Sequence, residues 1–138
     1  MAANTVPIFV QSPQNNWGSS LITTANTAKD GTGTVLTIFT ADATNGSFCN
    51  RIVVRATGTA TASVLRVFMN NGSTNATPAN NILIGEVALP ATTLSEVNAL
   101  LPVEVPINLG MEAGYKLNVT LGTTVAAGYA VSAHGGKY

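Results

Sequence analysis

Apolar residues occur along the chain in short runs that are separated by turn residues roughly every ten positions, the spacing of short strands. The separators include Asp30-Gly31 and Asn71-Gly72, pairs in which both residues tolerate positive φ and therefore favour tight turns. This rhythm is typical of an all-β sandwich or barrel. It predicts nine strands, at residues 6–11, 17–23, 34–41, 48–57, 60–70, 81–89, 102–109, 115–121 and 126–134.

The same pattern contains no long amphipathic helix. The one helical candidate is TLSE at residues 93–96, whose spacing matches a capping box ahead of Val97. Prolines on both sides limit it to two turns at most, because proline does not continue a helix. We therefore predict a single-domain antiparallel β-sandwich, jelly-roll-like, with about eight to nine strands. Within it, residues 31–138 form the sandwich and residues 1–30 form an N-terminal arm with the first short strands.

In the C-terminal half, apolar and polar residues alternate cleanly along the predicted strands. Residues 103–109 (VEVPINL) place four aliphatic side chains on one side and Glu, Pro and Asn on the other. Residues 115–121 (YKLNVTL) follow the same rule, with Asn118 and Thr120 on the polar side. Strands of this kind bury one face in a sandwich and leave the other face in water.

The central stretch RIVVRATGTATASVLRVFMN, residues 51–70, breaks this alternation, because apolar residues occupy both odd and even positions. We take the arginine positions as the outward sides, since an unpaired buried charge costs several kcal/mol. This places Ile52 and Val54 on the inner side with Phe48, and Cys49 on the outer side. The outward set contains three apolar residues among three arginines, namely Val53, Val64 and Phe68 among Arg51, Arg55 and Arg66.

The pairing of these two strands has two possible arrangements. If Gly58-Thr59 is a two-residue hairpin turn, Arg51 lies directly opposite Arg66, and a carboxylate is needed between the like charges. If the strands belong to different sheets, that pairing fails but the facing of each strand stands. Either way, an apolar centre with arginine anchors is typical of a protein interface, unless each arginine stem only covers its own strand. The candidate interface residues are Arg51, Val53, Arg55, Val64, Arg66, Phe68 and the single tryptophan, Trp17.

The chain carries unusually little charge for a protein that would be free in water. Only 9% of the residues are charged, against about 25% in typical soluble domains. Six basic and six acidic residues give a formal net charge of zero. A surface made of Thr, Asn, Ser, Gly and Ala loses water at little cost and repels its own copies weakly, which favours packing into an assembly. Scattered basic residues also argue against a nucleic-acid partner, because phosphate binding requires clustered Lys and Arg.

The sequence indicates neither membrane insertion nor secretion. No apolar run reaches the roughly 18–20 residues of a membrane span. The N-terminus lacks the basic start and the continuous apolar stretch of a secretion signal. Cys49 is the only cysteine, so no internal disulfide can form, and synthesis in a reducing host cytoplasm is expected.

Residue types that carry chemistry are nearly missing. The single histidine, His134, cannot build a histidine-rich metal cage. A thiolate pair of Cys49 with His134 is conceivable, but neither residue has a motif around it, and a buried structural cysteine is the simpler interpretation. The carboxylates lie singly along the chain, and the Gly-rich stretch at residues 29–33 lacks phosphate-loop spacing. We expect no enzyme activity, no metal and no cofactor.

The C-terminal stretch VPINLGMEAGYKLNVTLGTTVAAGYAVSAHGGKY resembles the ending of small virion proteins of tailed bacteriophages. In size and strand rhythm the whole chain is similar to the jelly-roll cement, or decoration, proteins of phage heads. The resemblance implies a jelly-roll sandwich that forms dimers or trimers and bridges neighbouring major capsid subunits. It transfers no functional residues, because such contacts are surfaces. Its pattern is Ala113-Gly114-Tyr115, Leu117-x-Val119, Gly122, Ala127-Gly128-Tyr129, Val131-x-Ala133 and Gly135-Gly136-Lys137-Tyr138.

Composition and resemblance together predict a structural virion protein that binds the outside of a phage capsid. It would cement neighbouring major capsid subunits as a homodimer or a trimer, and would bind neither nucleic acid nor membrane. The alternative is a receptor- or carbohydrate-binding head of a tail fibre or spike, which would use Trp17, Tyr129 and the Asn-rich loops. An enzyme built on a jelly-roll barrel is the third hypothesis, and the sequence supplies almost no residues for it.

Overall fold

Two four-stranded antiparallel sheets pack face to face in the computed structural model, which describes residues 9–138. Sheet A has the strand order β1-β8-β3-β6, and sheet B has the order β2-β7-β4-β5. Neighbours are thus mostly strands whose numbers sum to nine, as when one long hairpin is folded over on itself. The predicted all-β antiparallel sandwich is confirmed. The strands are β1 (Ser12–Trp17), β2 (Leu36–Thr40), β3 (Ser47–Ala56), β4 (Ser63–Asn70), β5 (Asn81–Leu89), β6 (Val103–Met111), β7 (Lys116–Leu121) and β8 (Tyr129–Lys137).

The strands predicted from residue 34 onward are present, with ends that shift by a few residues. The N-terminal prediction is wrong, because the strand runs over residues 12–17 instead of 17–23, and the predicted strand at 6–11 begins outside the described residues. The polar sequence SPQNNW becomes β1 by pairing with β8, from Ser12 opposite Lys137 to Trp17 opposite Ser132. Such tertiary pairing leaves no hydrophobic pattern in the sequence.

The predicted helix at residues 93–96 is also absent. The Ser95 hydroxyl oxygen accepts hydrogen bonds from the backbone N–H groups of Val97 and Asn98, at 3.2 and 3.1 Å. These local bonds hold a bend, since serine competes with helix by bonding nearby backbone. Pro78–Asn80 forms a short 3₁₀ turn, and no α-helix occurs within residues 9–138.

The core lies between the two sheets and is almost entirely aliphatic. Its side chains expose 8% or less of their surface, and burying a large aliphatic one contributes about 1.5–3 kcal/mol. Sheet A supplies mainly Ile52, Val54, Val105, Val131 and Ala133, and sheet B supplies mainly Leu65, Val67, Leu117, Val119 and Leu121.

A β-bulge at Asn50 changes which side of β3 faces the core. Between Cys49 and Arg51, β3 advances by two residues while β8 advances by one, from Gly135 to His134, so Asn50 is an extra residue in that pairing. One extra residue reverses the alternation. Cys49 is therefore fully buried with Ile52, whereas Phe48 is only partly buried. The facing that places Cys49 outside and Phe48 inside is wrong, whereas the interpretation of Cys49 as a buried cysteine is confirmed. Beyond the bulge the predicted facing holds.

Sheet B is buried on both faces, which the alternation did not predict. Phe68, Asn118 and Thr120 expose 2% or less of their surface. Their neighbours along the strands, such as Val67 and Val119, are equally buried in the core between the sheets. Successive strand residues point to opposite faces of a sheet. The outer face of sheet B must therefore be covered by another segment of the chain.

The cover is residues 25–35, which we call the cross-face segment. It begins beside β7, where the Asn26 backbone N–H donates to the Leu121 carbonyl oxygen at 2.8 Å. It reaches the other edge of the sheet, where the Asn81 Nδ2 donates to the Asp30 carbonyl oxygen at 3.2 Å. Nearby, the Asn75 Nδ2 donates to the Gly33 carbonyl oxygen at 2.9 Å. A segment tied to the end of β7 and to the edge strand β5, with the core on the opposite side of the sheet, crosses the outer face of sheet B.

The protein's own chain therefore covers the second face of the doubly apolar β4. The prediction that Phe68 lies on an exposed face is wrong, because its outward side is beneath the cross-face segment. The prediction that Asn118 and Thr120 face water is wrong for the same reason. Asn118 is satisfied by the Thr37 hydroxyl, which donates to its Oδ1 at 2.7 Å.

Strands β3 and β4 lie in different sheets, so Arg51 does not face Arg66. Each arginine instead has its own carboxylate on a neighbouring strand. Arg51 Nη1 lies 3.2 Å from Glu104 Oε1, and Arg66 Nε lies 2.7 Å from Glu86 Oε1. The first pair is half-exposed on both sides, whereas the Arg66 side chain is only 12% exposed.

The two ion pairs should differ in their effect on stability. Glu86→Gln leaves a largely buried guanidinium without its charge partner, and should lower the free energy of unfolding by about 1–3 kcal/mol. Glu104→Gln removes an exposed partner, and should change it by about 0.5 kcal/mol or less. Urea denaturation of both variants measures the difference, and equal losses would contradict the burial of Arg66.

The buried thiol predicts a dependence of stability on alkaline pH. Burial raises the pKa of the Cys49 thiol to about 11. The unfolded chain loses this proton first, near its ordinary pKa of about 8.5. The thiol's contribution is therefore complete below that pH and is lost as pH rises toward 11. The difference in unfolding free energy between wild type and Cys49→Ala should shrink over this range, and a constant difference would disprove it.

Candidate functional site

The outer face of sheet A has no covering segment within the described residues. Arg51, Val53 and Arg55 of β3 lie on it as exposed or half-buried side chains. Beside them on β8, Ser132 pairs in register with Val53, and His134 pairs with Arg51. This face therefore remains open for contact with another molecule.

A groove of about 420 Å³ lies on this face, within the size range of small binding sites. The Trp17 side chain, which forms part of its wall, is 72% exposed. Large aromatic side chains are strongly apolar and are seldom left so open without a partner. The groove is lined by Trp17, Gly18, Ser20, Leu21, Val53, Arg55, Ala130, Val131 and Ser132.

Strand β1 holds Trp17 in place through a buried polar tie. The Ser47 hydroxyl donates to Gln14 Oε1 at 2.6 Å, and Gln14 Nε2 donates to the Thr40 carbonyl oxygen at 2.6 Å. These bonds join β1 to β3 and to the end of β2 in the opposite sheet. After Trp17, the Gly18 backbone N–H donates to the Val131 carbonyl oxygen at 3.1 Å. The tryptophan is therefore mounted on a strand that is fixed at both ends.

The charge in the groove comes from Arg55. Arg51 is neutralised by Glu104, but Arg55 makes no ion pair within residues 9–138. A planar guanidinium with free donors binds carboxylates strongly, through two parallel hydrogen bonds. The groove thus combines an apolar surface with one uncompensated positive charge.

A hydrogen-bonded row runs across β1 and β8 beside the groove. His134 Nε2 lies 3.0 Å from the Ser132 hydroxyl, and His134 Nδ1 lies 2.8 Å from Asn15 Oδ1. The order Ser, His, Asn has the form of a nucleophile with its base and an orienting group. The asparagine, however, brings no negative charge, which the carboxylate supplies in hydrolase triads.

The position of this row on the sheet also argues against catalysis. β8 pairs with β1 on one side and with β3 on the other, so its backbone N–H groups are used by the ladders. N–H groups that are held in the ladders do not bind a developing oxyanion, which is usually the largest catalytic contribution. The row's evident role is to fasten β1 to β8.

Other chemistry is equally sparse in the described part of the chain. The Cys49 sulfur lies 3.9 Å from the backbone oxygen of His134, and the imidazole lies on the other face of the strand. The two residues therefore do not form a thiolate pair. No group of three His, Cys, Asp or Glu side chains within residues 9–138 is placed to hold a metal ion.

The structure brings together four of the seven candidate interface residues. Trp17, Val53 and Arg55 line the groove, and Arg51 lies next to it on the same face of sheet A. Val64 and Arg66 are on sheet B, where they line a separate shallow recess. Phe68 is buried. The candidate set therefore does not form one surface.

Sequence reasoning missed the contributions of Leu21 and Ser132 to the groove. A signal for β8 was present, because its side opposite Val131 consists of small residues rather than charged ones. Such a side allows a partner to approach closely. No comparable signal marks Leu21, which follows a loop and is exposed.

Two features proposed for a carbohydrate-binding head are not available in this arrangement. Tyr129 is only 2% exposed and packs in the core. The amides of the Asn-rich loop at residues 70–81 are used by the protein itself. For example, Asn81 Nδ2 donates to the Asn75 carbonyl oxygen at 2.9 Å, and Asn80 Nδ2 donates to the Thr74 carbonyl oxygen at 2.8 Å. Only the exposed Trp17 remains of that set.

Comparison with known proteins adds no identification. No family model, no curated protein and no solved structure matches the chain. The described residues contain no helix that is long and apolar enough to cross a membrane.

The opposite environments of two apolar side chains give a direct test of the face assignment. Phe68→Asp places a carboxylate beneath the cross-face segment, and should cost several kcal/mol or prevent folding. Val53→Asp lies on the open face of sheet A, and should lower stability by about 1 kcal/mol or less. Thermal unfolding followed by circular dichroism compares them. If Val53→Asp unfolds the protein as readily as Phe68→Asp, the outer face of sheet A is not open.

Proposed function

We propose that this protein is a structural virion protein that binds the outside of a phage capsid and cements neighbouring major capsid subunits. One observation carries the proposal. Within residues 9–138, sheet B alone is covered by the protein's own chain, while sheet A presents an open apolar groove between Trp17 and Val53. A surface of this kind, on a chain with so little charge, is suited to permanent cover by another protein chain within an assembly.

The strand order supports the same proposal. The orders β1-β8-β3-β6 and β2-β7-β4-β5 are those expected when an eight-stranded chain rolls up as a jelly roll. The resemblance in the C-terminal stretch implies this architecture. Capsid and lectin domains both use it, so the architecture by itself does not distinguish a cement protein from a sugar-binding head. The consumed amides and the buried Tyr129 favour the cement protein.

Interface energetics are compatible with a role that depends on many copies. A standard interface removes about 800 Å² from each partner. If half of that area is apolar, burial contributes on the order of 10 kcal/mol before other terms. Loss of translational and rotational freedom offsets much of it. Contacts repeated over a particle restore strong attachment through avidity, which suits a protein that bridges subunits.

Purified particles provide the test. Mass spectrometry should find hundreds of copies per particle if the protein covers the shell, because avidity over a capsid lattice requires many sites. Particles that lack the protein should lose their DNA at a lower temperature than complete particles, and adding purified protein back should restore the difference. A handful of copies per particle, or equal heat resistance without the protein, would disprove the cement role.

A further inference from the structure

The β5–β6 connection, residues 90–102, presents a second exposed apolar surface, which we call the apolar loop. Val97 is 89% exposed and Leu101 is 82% exposed, and Leu94 is about half-exposed. A single exposed apolar side chain needs no explanation, but several exposed apolar side chains on one connection indicate an interaction site. Like the groove, this loop exposes apolar side chains on a chain that carries few charges.

The apolar loop is held in shape by hydrogen bonds to the β3–β4 connection and by one local bend. Ala60 and Thr92 exchange backbone hydrogen bonds of 3.0 and 2.9 Å at its base. The Leu94 N–H donates to the Thr59 hydroxyl oxygen at 3.1 Å, and Ser95 holds the bend that follows. A loop that is ordered before binding loses less entropy when it binds. The apolar loop is therefore preorganised for binding.

The charges of the loop and the groove are complementary. Glu96 is exposed between Leu94 and Val97, and makes no ion pair within residues 9–138. Arg55 in the groove also makes none. The groove is an apolar surface with one free cation, and the loop is an apolar surface with one free anion. Each supplies what the other lacks.

The two surfaces lie at the same end of the sandwich. Arg55 is near the end of β3, and Ala130, its partner in register, is near the start of β8. The apolar loop leaves β5 after Leu89 and enters β6 at Val103, which pairs with Val54 of β3. A two-fold axis that passes between groove and loop places the groove of each copy opposite the loop of the other copy. The same contact is then made twice.

We propose that two copies of this chain form a symmetric dimer in which the apolar loop of each copy occupies the groove of the other. Val97 and Leu94 pack against Trp17 and Val53, and Glu96 binds Arg55. This deepens the proposed function and rests on it, because the dimer is the unit that would bridge two capsid subunits. The arrangement would cover the groove and the apolar loop, which an isolated copy leaves open to water.

Charge exchange across the contact tests the proposal. Analytical ultracentrifugation over a concentration series should show a dimer for wild type. Arg55→Glu and Glu96→Arg should each raise the dimer dissociation constant about tenfold or more, since each places like charges together. An equimolar mixture of the two variants should dimerise as wild type does, because both contacts then pair opposite charges.

Matched controls change the same charges elsewhere. Lys29→Glu and Glu112→Arg alter exposed residues outside the groove and the loop, and should leave the dissociation constant unchanged. Val97→Asp should abolish the dimer although Arg55 and Glu96 are unchanged, because it places a carboxylate in the apolar part of the contact. Circular dichroism confirms that each variant is folded, which is expected because the altered side chains are exposed.

Three outcomes would overturn the dimer. They are a wild type that stays monomeric up to millimolar concentration, a dimer that none of the variants weakens, and variants whose mixture is not rescued. Capsid binding is measured separately on particles. Wild-type monomers that still bind particles would remove the dimer and leave the cement role. If Arg55→Glu abolishes particle binding but leaves a dimer intact, the capsid protein occupies the groove and the proposal fails. A dimer that binds no particle would remove only the cement role.

Discussion

The cross-face segment is the constraint on which the rest of the structure depends, because it determines which sheet a partner can reach. Its irregular backbone needs hydrogen-bond partners once it lies on a sheet. Asn26, Asn75 and Asn81 supply them from their side-chain amides. Each bond contributes only about 1 kcal/mol net, but leaving a covered group unsatisfied costs more. With these amides in place, the segment buries Phe68 and closes sheet B, whereas no segment of residues 9–138 closes the outer face of sheet A.

Scarce charge determines how that open face can be used. Arg51 and Arg66 are each neutralised by a glutamate on a neighbouring strand, so neither has to be stripped of water alone. In the part of the chain that the structure describes, a partner that covers the groove of sheet A therefore meets mostly apolar and neutral polar groups, and one charged residue without an ion pair, Arg55. Desolvating neutral groups costs far less than desolvating ions. The low charge of the chain thus favours lasting contact over the brief contacts of a freely diffusing protein.

Sequence alone predicted the sandwich and most of its strands, because alternation and turn residues depend on local chemistry. The arginines correctly marked the outer side of β3 beyond Asn50, since no alternative facing could satisfy their charge. Cys49 was misplaced because one bulge residue reverses the alternation. Strand β1 was missed because pairing with β8 creates it. Phe68 was misassigned because its cover comes from residues distant in the chain, and Leu21 was missed because only the strand order brings it to the groove.

The loops at the two ends of the sandwich differ in which groups they expose to water, and this difference makes one end more suited to association than the other. At one end, the side-chain amides of the Asn-rich loop donate hydrogen bonds to the loop's own backbone and to the cross-face segment, so these amides are satisfied within the protein. At the other end the hydrogen bonds of residues 90–102 only fix the backbone and leave Val97 in water. Water opposes exposed aliphatic groups, whereas it tolerates satisfied amides. Association is therefore favoured at the end that carries Trp17 and the apolar loop.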